Sequence, residues 1–437
     1  MTPGLVIAAP RSGSGKTTLT LGLLRAYRRL GLDVVGVKSG PDYIDPAFHA
    51  AASGRDGLNL DSWAMSPSLI LGLAGAAAQG CDLFLCEASM GLFDGVPAAP
   101  GRSGASADVA ATLGAPVVLV LDVSGQAQSA AAIVKGCASC DPRIAIAGVI
   151  LNRVGSARHR RLAGDAIEAL GVPVVGALPR LDDMALPERH LGLVQAMETH
   201  DLEARLDRIG EAVAAHVDLT TLRGLARPLR VAQEFGTSAA LSPPGQRIAI
   251  ARDAAFSFLY PHLLSHWRAS GAEVHFFSPL GDEPPPMHCD FCWLPGGYPE
   301  LHAGQIAAAE NFLGGLRCFA ESRPVHGECG GYMVLGAALT DASGAIHRMA
   351  GLIGVETSFA KRRMNLGYRD ATLIAAGGLG AAGRKFKGHE FHYSTLTTTG
   401  GDEPFANVSD AYGAPPTPSG SRRGAVTGSY FHIIAEA

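Results

Sequence analysis

A chain of 437 residues is long enough for two or three domains, and 47% hydrophobic with 17% charged content supports packed cores rather than disorder. A formal net charge of −4 without a basic stripe gives no case for nucleic acid, and no apolar run reaches the length that spans a membrane. The N-terminus enters a strand pattern at once with no leader or cleavage site, and the eight scattered cysteines read as reduced thiols. Together these features predict a cytoplasmic protein.

The first element, Leu5-Val6-Ile7-Ala8, reads as a buried strand, and Leu19, Leu21, Leu23, Leu24 and Tyr27 give a helical pattern ending at Gly31. Between them stands Arg11-Ser12-Gly13-Ser14-Gly15-Lys16-Thr17-Thr18, the spacing of a phosphate-binding loop. Gly13 and Gly15 let backbone N–H groups close on a phosphate at a helix N-terminus. Lys16 is placed to reach the β- and γ-phosphates of ATP, and the Thr17 hydroxyl to take Mg²⁺. The pattern departs from its ideal at Pro10, where the first glycine belongs; Arg11 is a candidate for an extra phosphate contact.

Further strands are predicted at 33–38, 82–87, 116–122, 146–151 and 172–176, with helices between them. That rhythm defines an α/β unit with a mostly parallel, doubly wound sheet, whose ligands bind at the carboxyl ends of the strands. After the second strand comes Lys38-Ser-Gly-Pro-Asp42-Tyr43-Ile-Asp45, a rigid acidic loop. The third ends in Glu87, like a Walker-B strand whose acid holds Mg²⁺, and continues to Gly91 and Asp94. Caps and turns explain such acids one at a time; two acidic loops at the phosphate end favour a functional reading. Asn152, closing the fifth strand, is a candidate purine contact as well as a turn former, and Arg158, His159, Arg160 and Arg161 read as a solvated helix face. Residues 200–225 read as one amphipathic helix and 227–246 as a linker, so the domains are drawn at 1–226 and 247–437.

The second half repeats the βα rhythm with stretches at Arg247–Asp253, Val274–Pro279, Phe291–Tyr298 and Pro324–Gly331. There Gly327-Glu328-Cys329-Gly330-Gly331, between a strand and an apolar helical run, is a nucleophile elbow with Cys in place of Ser. The helix N-terminus is expected to lower the Cys329 pKa. His432 near the chain's end is the candidate base, and Gly297 and Gly330 are candidate oxyanion donors. The cluster Gly388-His389-Glu390-Phe391-His392-Tyr393 reads equally as site and as edge strand, and 401–424 as a loop. The Cys137/Cys140 and Cys289/Cys292 pairs read as small buried hydrophobes rather than a zinc site.

An N-terminal nucleotide site joined to a C-terminal thiol site resembles the a,c-diamide synthases of corrin-ring biosynthesis, over essentially the whole chain. The resemblance rests on Ser12–Thr18, Lys38–Asp45, Glu87–Gly95, Leu294–Glu300, Gly327–Met333 and Gly388–Ser394. It implies a dethiobiotin-synthetase-like P-loop domain followed by a class I glutamine amidotransferase-like domain. It further implies that Cys329 attacks glutamine with His432 shuttling the proton, and that ATP activates a ring carboxylate as an acyl phosphate which ammonia displaces. Gly13, Ser14, Gly15, Lys16, Thr17, Thr18 and Asn152 would bind ATP; Thr17, Asp45 and Glu87 would hold Mg²⁺; Asp42, Asp45 and Asp94 would serve the chemistry, and Tyr43 with Asp42 the macrocycle. The implied partners are the corrin, glutamine and ATP, with no nucleic acid or membrane, and a homodimer is left open. Such amidotransferases usually carry Glu two residues after the His, but Ile434 stands there, so the orienting group is absent or comes from elsewhere; Glu436 is a poor fit. Other tetrapyrrole carboxylates, or a regulatory P-loop ATPase with an inactive amidotransferase module, are the competing readings.

Overall fold

A computed structural model describes residues 2–180, 188–189, 192–232 and 240–437. The chain divides into two compact units, Met1–Ser238 and Ala239–Ala437. In the first, β1 (Pro3–Ala8), β2 (Val34–Ser39), β3 (Leu58–Leu60), β4 (Leu83–Glu87), β5 (Val117–Asp122), β6 (Ile146–Val154) and β7 (Val174–Pro179) form a parallel sheet in the order 3-2-4-1-5-6-7. Every residue of β2, β4 and β5 is buried, which is why those strands are unbroken apolar runs with polar residues only at their carboxyl ends. The three-residue β3, Leu-Asn-Leu, is too short to show a period and escaped the sequence reading.

Helix α1 (Lys16–Arg29) starts directly after Gly15, whose φ of 89° is the left-handed turn that only glycine makes cheaply. It packs on helix Leu202–His216 at Gly22, where an added Cβ would meet Val213 and Ile209. The single helix expected over 200–225 is two, Leu202–His216 and Leu219–Leu225; the second opens on Asp218, whose carboxylate accepts the Thr221 N–H. Arg227-Pro228, expected to start the linker, is instead a short strand antiparallel to β1 at Pro3 and Gly4. Part of the expected linker, 233–239, lies outside the described residues.

The second unit is built on a six-stranded sheet ordered Glu273–Phe277, Arg247–Ala251, Phe291–Leu294, Val325–Glu328, Val426–Ser429, Ser421–Arg423. The first five run parallel and the last is antiparallel. A second, antiparallel sheet holds Asn365–Leu373, Lys385–His392 and His432–Glu436 side by side. Lys385–His392 is therefore an interior strand, which overturns its reading as an edge. The proline- and glycine-rich 401–424 is likewise not a plain loop, since it contributes strands Ala406–Asp410, Thr417–Ser419 and Ser421–Arg423. Of the paired cysteines, Cys137, Cys289 and Cys292 are buried, whereas Cys140 is exposed and does not fit the buried-hydrophobe reading.

Candidate functional site

The first unit gathers its polar groups at the carboxyl ends of β1, β2 and β4. Buried Glu87 closes β4 and takes three partners: Oε1 accepts the Thr17 hydroxyl at 2.6 Å and Lys38 Nζ at 2.8 Å, and Oε2 lies 2.7 Å from His49 Nε2. Lys38 also pairs with Asp45 at 2.5 Å, so one buried ammonium serves two carboxylates. Burial penalises each of these charges, and pairing decides the outcome. Lys38 is held above the ordinary lysine value by Asp45 and Glu87, and Glu87 below the usual carboxylate range by Lys38 and His49. Asp45 goes the other way, raised to about 7 by burial and by Asp42.

The loop before α1 is closed by its own chain. Ser14 Oγ donates to the Arg11 carbonyl (3.0 Å), and Lys16 Nζ donates to the Met90 carbonyl (2.5 Å). Burial and nearby Lys38 lower the Lys16 pKa to about 8. Asn152 donates to the Ser14 carbonyl at 2.8 Å and blocks any side chain at Gly15. Arg11 pairs with Asp122 (2.8 Å), which also takes Arg153 (2.6 Å). Asp42 accepts the N–H groups of Ile44 and Asp45, both at 2.8 Å, and so caps α2 (Asp45–Ser53). Asp94 accepts the Gly91 N–H (2.8 Å) and shapes the loop around Lys16, while Tyr43 is half-buried. The Thr17 hydroxyl beside the Glu87 carboxylate offers hard oxygen donors of the kind Mg²⁺ takes, whereas Asp45 meets Glu87 through the Lys38 ammonium. His49 escaped the sequence reading; a histidine at the fifth position of an apparently plain helix gave no signal of its bond to Glu87.

In the second unit Cys329 follows strand Val325–Glu328 with φ 46° and ψ −101°, a strained turn worth about 1–3 kcal/mol. The flanking glycines are there for close approach. A Cβ on Gly327 would sit 2.7 Å from the Gly331 carbonyl carbon, and one on Gly331 would run into the Leu294 carbonyl. His432, fully buried at the start of its strand, and Cys329 converge on Gly296: a Cβ there would lie 3.1 Å from His432 Nε2 and 3.3 Å from Cys329 Cβ. Gly297 and Gly330 are adjacent too, since a Cβ on Gly330 would be 3.0 Å from the Gly297 nitrogen. The predicted nucleophile, base and oxyanion donors thus share one pocket.

His389 is the register partner of His432, and His392 stacks on Tyr430 at 3.7 Å with an interplanar angle of 9°. The His389–His392 segment therefore walls the thiol site, with the Phe391 carbonyl 3.9 Å from Cys329 Sγ. The expected lowering of the thiol pKa is overturned: burial, with Glu300 nearby, pushes Cys329 well above its ordinary value. The six-residue helix behind it is too short to offset that. Burial also drives His432 well below the usual imidazole value. The Glu436 carboxylate is taken by Arg384 at 2.7 Å and does not serve His432.

A P-loop nucleotide unit joined to a cysteine amidotransferase unit is the class that fold and sites define. Residues 5–194 match the CobQ/CobB/MinD/ParA nucleotide binding domain, and residues 247–437 the CobB/CobQ-like glutamine amidotransferase domain. Three relatives are named hydrogenobyrinate a,c-diamide synthase. That of Mesorhizobium japonicum is 60% identical, that of Rhodobacter capsulatus 58% and that of Agrobacterium fabrum 56%, each over 99% of this chain and 98% of the relative. The chain belongs to the hydrogenobyrinate a,c-diamide synthase family.

Proposed function

We propose that this protein amidates the a and c acetate carboxylates of hydrogenobyrinic acid, using ATP and glutamine. The observation that carries the reading is the convergence of Cys329 and His432 at Gly296, in a chain about 60% identical to a relative bearing that name. Cys329 Sγ attacks the glutamine amide carbon as His432 takes the thiol proton; that proton goes to the leaving ammonia, and water then releases glutamate. The N–H groups of Gly297 and Gly330 face the developing oxyanion.

In the first unit the ring carboxylate attacks the γ-phosphorus of ATP, ADP leaves, and ammonia displaces phosphate from the acyl phosphate. Activation is needed because a free carboxylate is a poor electrophile. Lys16 and the backbone of residues 13–18 hold the phosphates, and Asn152, whose amide donates to the Ser14 carbonyl at the base of that loop, is the residue we assign to the purine. Thr17, Glu87 and Asp45 would hold Mg²⁺, which would supply charge neutralisation of the phosphates. Asp42 and Tyr43 line the loop for the macrocycle, and Asp94 sets the loop that meets Lys16. No helix among the described residues is long and apolar enough to cross a membrane, and we place the enzyme in the cytoplasm, with a homodimer as one assembly to test. The test is a mass count of amides added to the metal-free and cobalt-containing rings. Two amides on the metal-free ring support the proposal, and none on either ring refutes it.

A further inference from the structure

The usual glutamate partner of the catalytic histidine is missing at position 434, yet the pocket holds another carboxylate. Glu328, the residue just before the nucleophile, is 2% exposed and points under His432. Its Oε1 accepts the Ile433 N–H at 2.8 Å, and its Oε2 lies 3.7 Å from His432 Nδ1. That is ion-pair rather than hydrogen-bond distance, as catalytic contacts often are before substrate arrives. One carboxylate thus grips the backbone beside the histidine and faces the ring nitrogen remote from the thiol. Among ring-orienting groups, what matters is that the distal nitrogen carries the proton, leaving Nε2 free to accept one.

We propose that Glu328 is the positioning residue of the glutaminase site: its carboxylate accepts the Nδ1–H of His432, fixes the tautomer that receives the Cys329 proton, and stabilises the imidazolium that follows. The inference rests on the glutaminase reading above. It explains how the family pattern tolerates Ile434: the orienting carboxylate has moved from the histidine's strand to the nucleophile's strand. The groups around Glu328 are the Ile433 N–H and His432 from strand His432–Glu436 and the Trp293 side chain from strand Phe291–Leu294, with Cys329 next to it in sequence. Burial raises Glu328 to about 8, with the Ile433 N–H and Trp293 pulling the other way. The ionised form is the one that accepts from His432, so glutaminase kcat/KM should rise as pH increases through about 8.

Glu328→Gln is the sharp test. The amide oxygen can still accept from Ile433, but the NH₂ then faces Nδ1 and favours the wrong tautomer. We expect glutaminase kcat to fall about 10²–10⁴-fold with little change in the glutamine KM, and the alkaline rise to vanish. A readout needing no turnover is the ¹⁵N spectrum of histidine-labelled protein at pH 9, with His432 assigned by difference from His432→Asn. The parent should show the Nδ1–H tautomer and Glu328→Gln the Nε2–H tautomer. A Glu328→Gln enzyme with parental kcat, or an unchanged His432 spectrum, overturns the proposal. Ammonia-dependent amidation by the parent separates the two claims: its absence would sink the functional reading, whereas its presence beside parental Glu328→Gln glutaminase sinks only this one.

Discussion

The two sites sit on related scaffolds, each at the carboxyl ends of a parallel sheet, but they handle buried charge in opposite ways. In the first, Lys38 and Glu87 stay ionised because they are paired, Lys38 bridging Asp45 and Glu87 and Glu87 also taking Thr17 and His49, while Asp45 beside Asp42 and Lys16 beside Lys38 are drawn part of the way toward neutrality. In the second, burial is uncompensated, and Cys329, Glu328 and His432 are all driven toward their neutral forms. The difference follows the substrates proposed for each. A triphosphate and its cation need fixed charges waiting for them, and pairing offsets part of the desolvation cost of keeping those charges in a dry site. Glutamine presents a neutral amide, so beyond the Glu328 carboxylate no charge is needed until thiol and imidazole exchange a proton.

The comparison can be broken at its strongest point by Cys329→Ala. Glutamine-dependent amidation should fall about 10⁴–10⁶-fold, while ammonia-dependent amidation persists, as followed by product mass; loss of both would join what we describe as separate. Next in size is Lys16→Ala, which removes the fixed charge of the first site. Both nitrogen sources should lose about 10²–10³-fold in amidation rate with glutaminase activity surviving, read by glutamate release.

The pH dependences should have opposite signs. Lys16 is lowered to about 8, so its cationic form, and with it ATP affinity, declines as pH rises through 8. A bound triphosphate would draw that proton back, so calorimetry in buffers of different ionisation enthalpy should show proton uptake on ATP binding above pH 8. Glutaminase kcat/KM should climb over the same interval, because the acid form of Glu328 cannot accept from His432. Parallel slopes would contradict the contrast. The smallest effect is expected from Asn152→Ala, which loses one hydrogen bond to the Ser14 carbonyl; the KM for ATP should rise about fivefold without a change in glutaminase kinetics.

Much of this was legible in the sequence because strand ends and glycine-rich turns are local. Gly13–Thr18, Glu87, Cys329 and Gly297 each announced themselves within ten residues, and His432 as the base that a cysteine nucleophile needs. What escaped depended on contacts between elements far apart in the chain, a helix against a strand in one case and strands of two different sheets in the other. The bond from His49 to Glu87 joins residues 38 apart, and Glu328 meets His432 across 104 positions. Composition misled at 401–424, where Pro418 sits inside a short strand and the glycines fall between strands, and at Arg227-Pro228, where a single proline hid a pairing with β1. The thiol pKa went wrong for a physical reason: the sequence shows the helix behind Cys329 but not how completely it is buried.

The most direct test of the central claim, that one chain makes ammonia from glutamine and spends ATP to fix it on the ring, uses ¹⁵N-amide glutamine. The protein, ATP, Mg²⁺ and hydrogenobyrinic acid are incubated with it, and the product is weighed by mass spectrometry. The account predicts two ¹⁵N amides per ring with about one ADP formed for each. Labelled glutamine converted to glutamate with no nitrogen on the ring, while ATP is still hydrolysed, would contradict it.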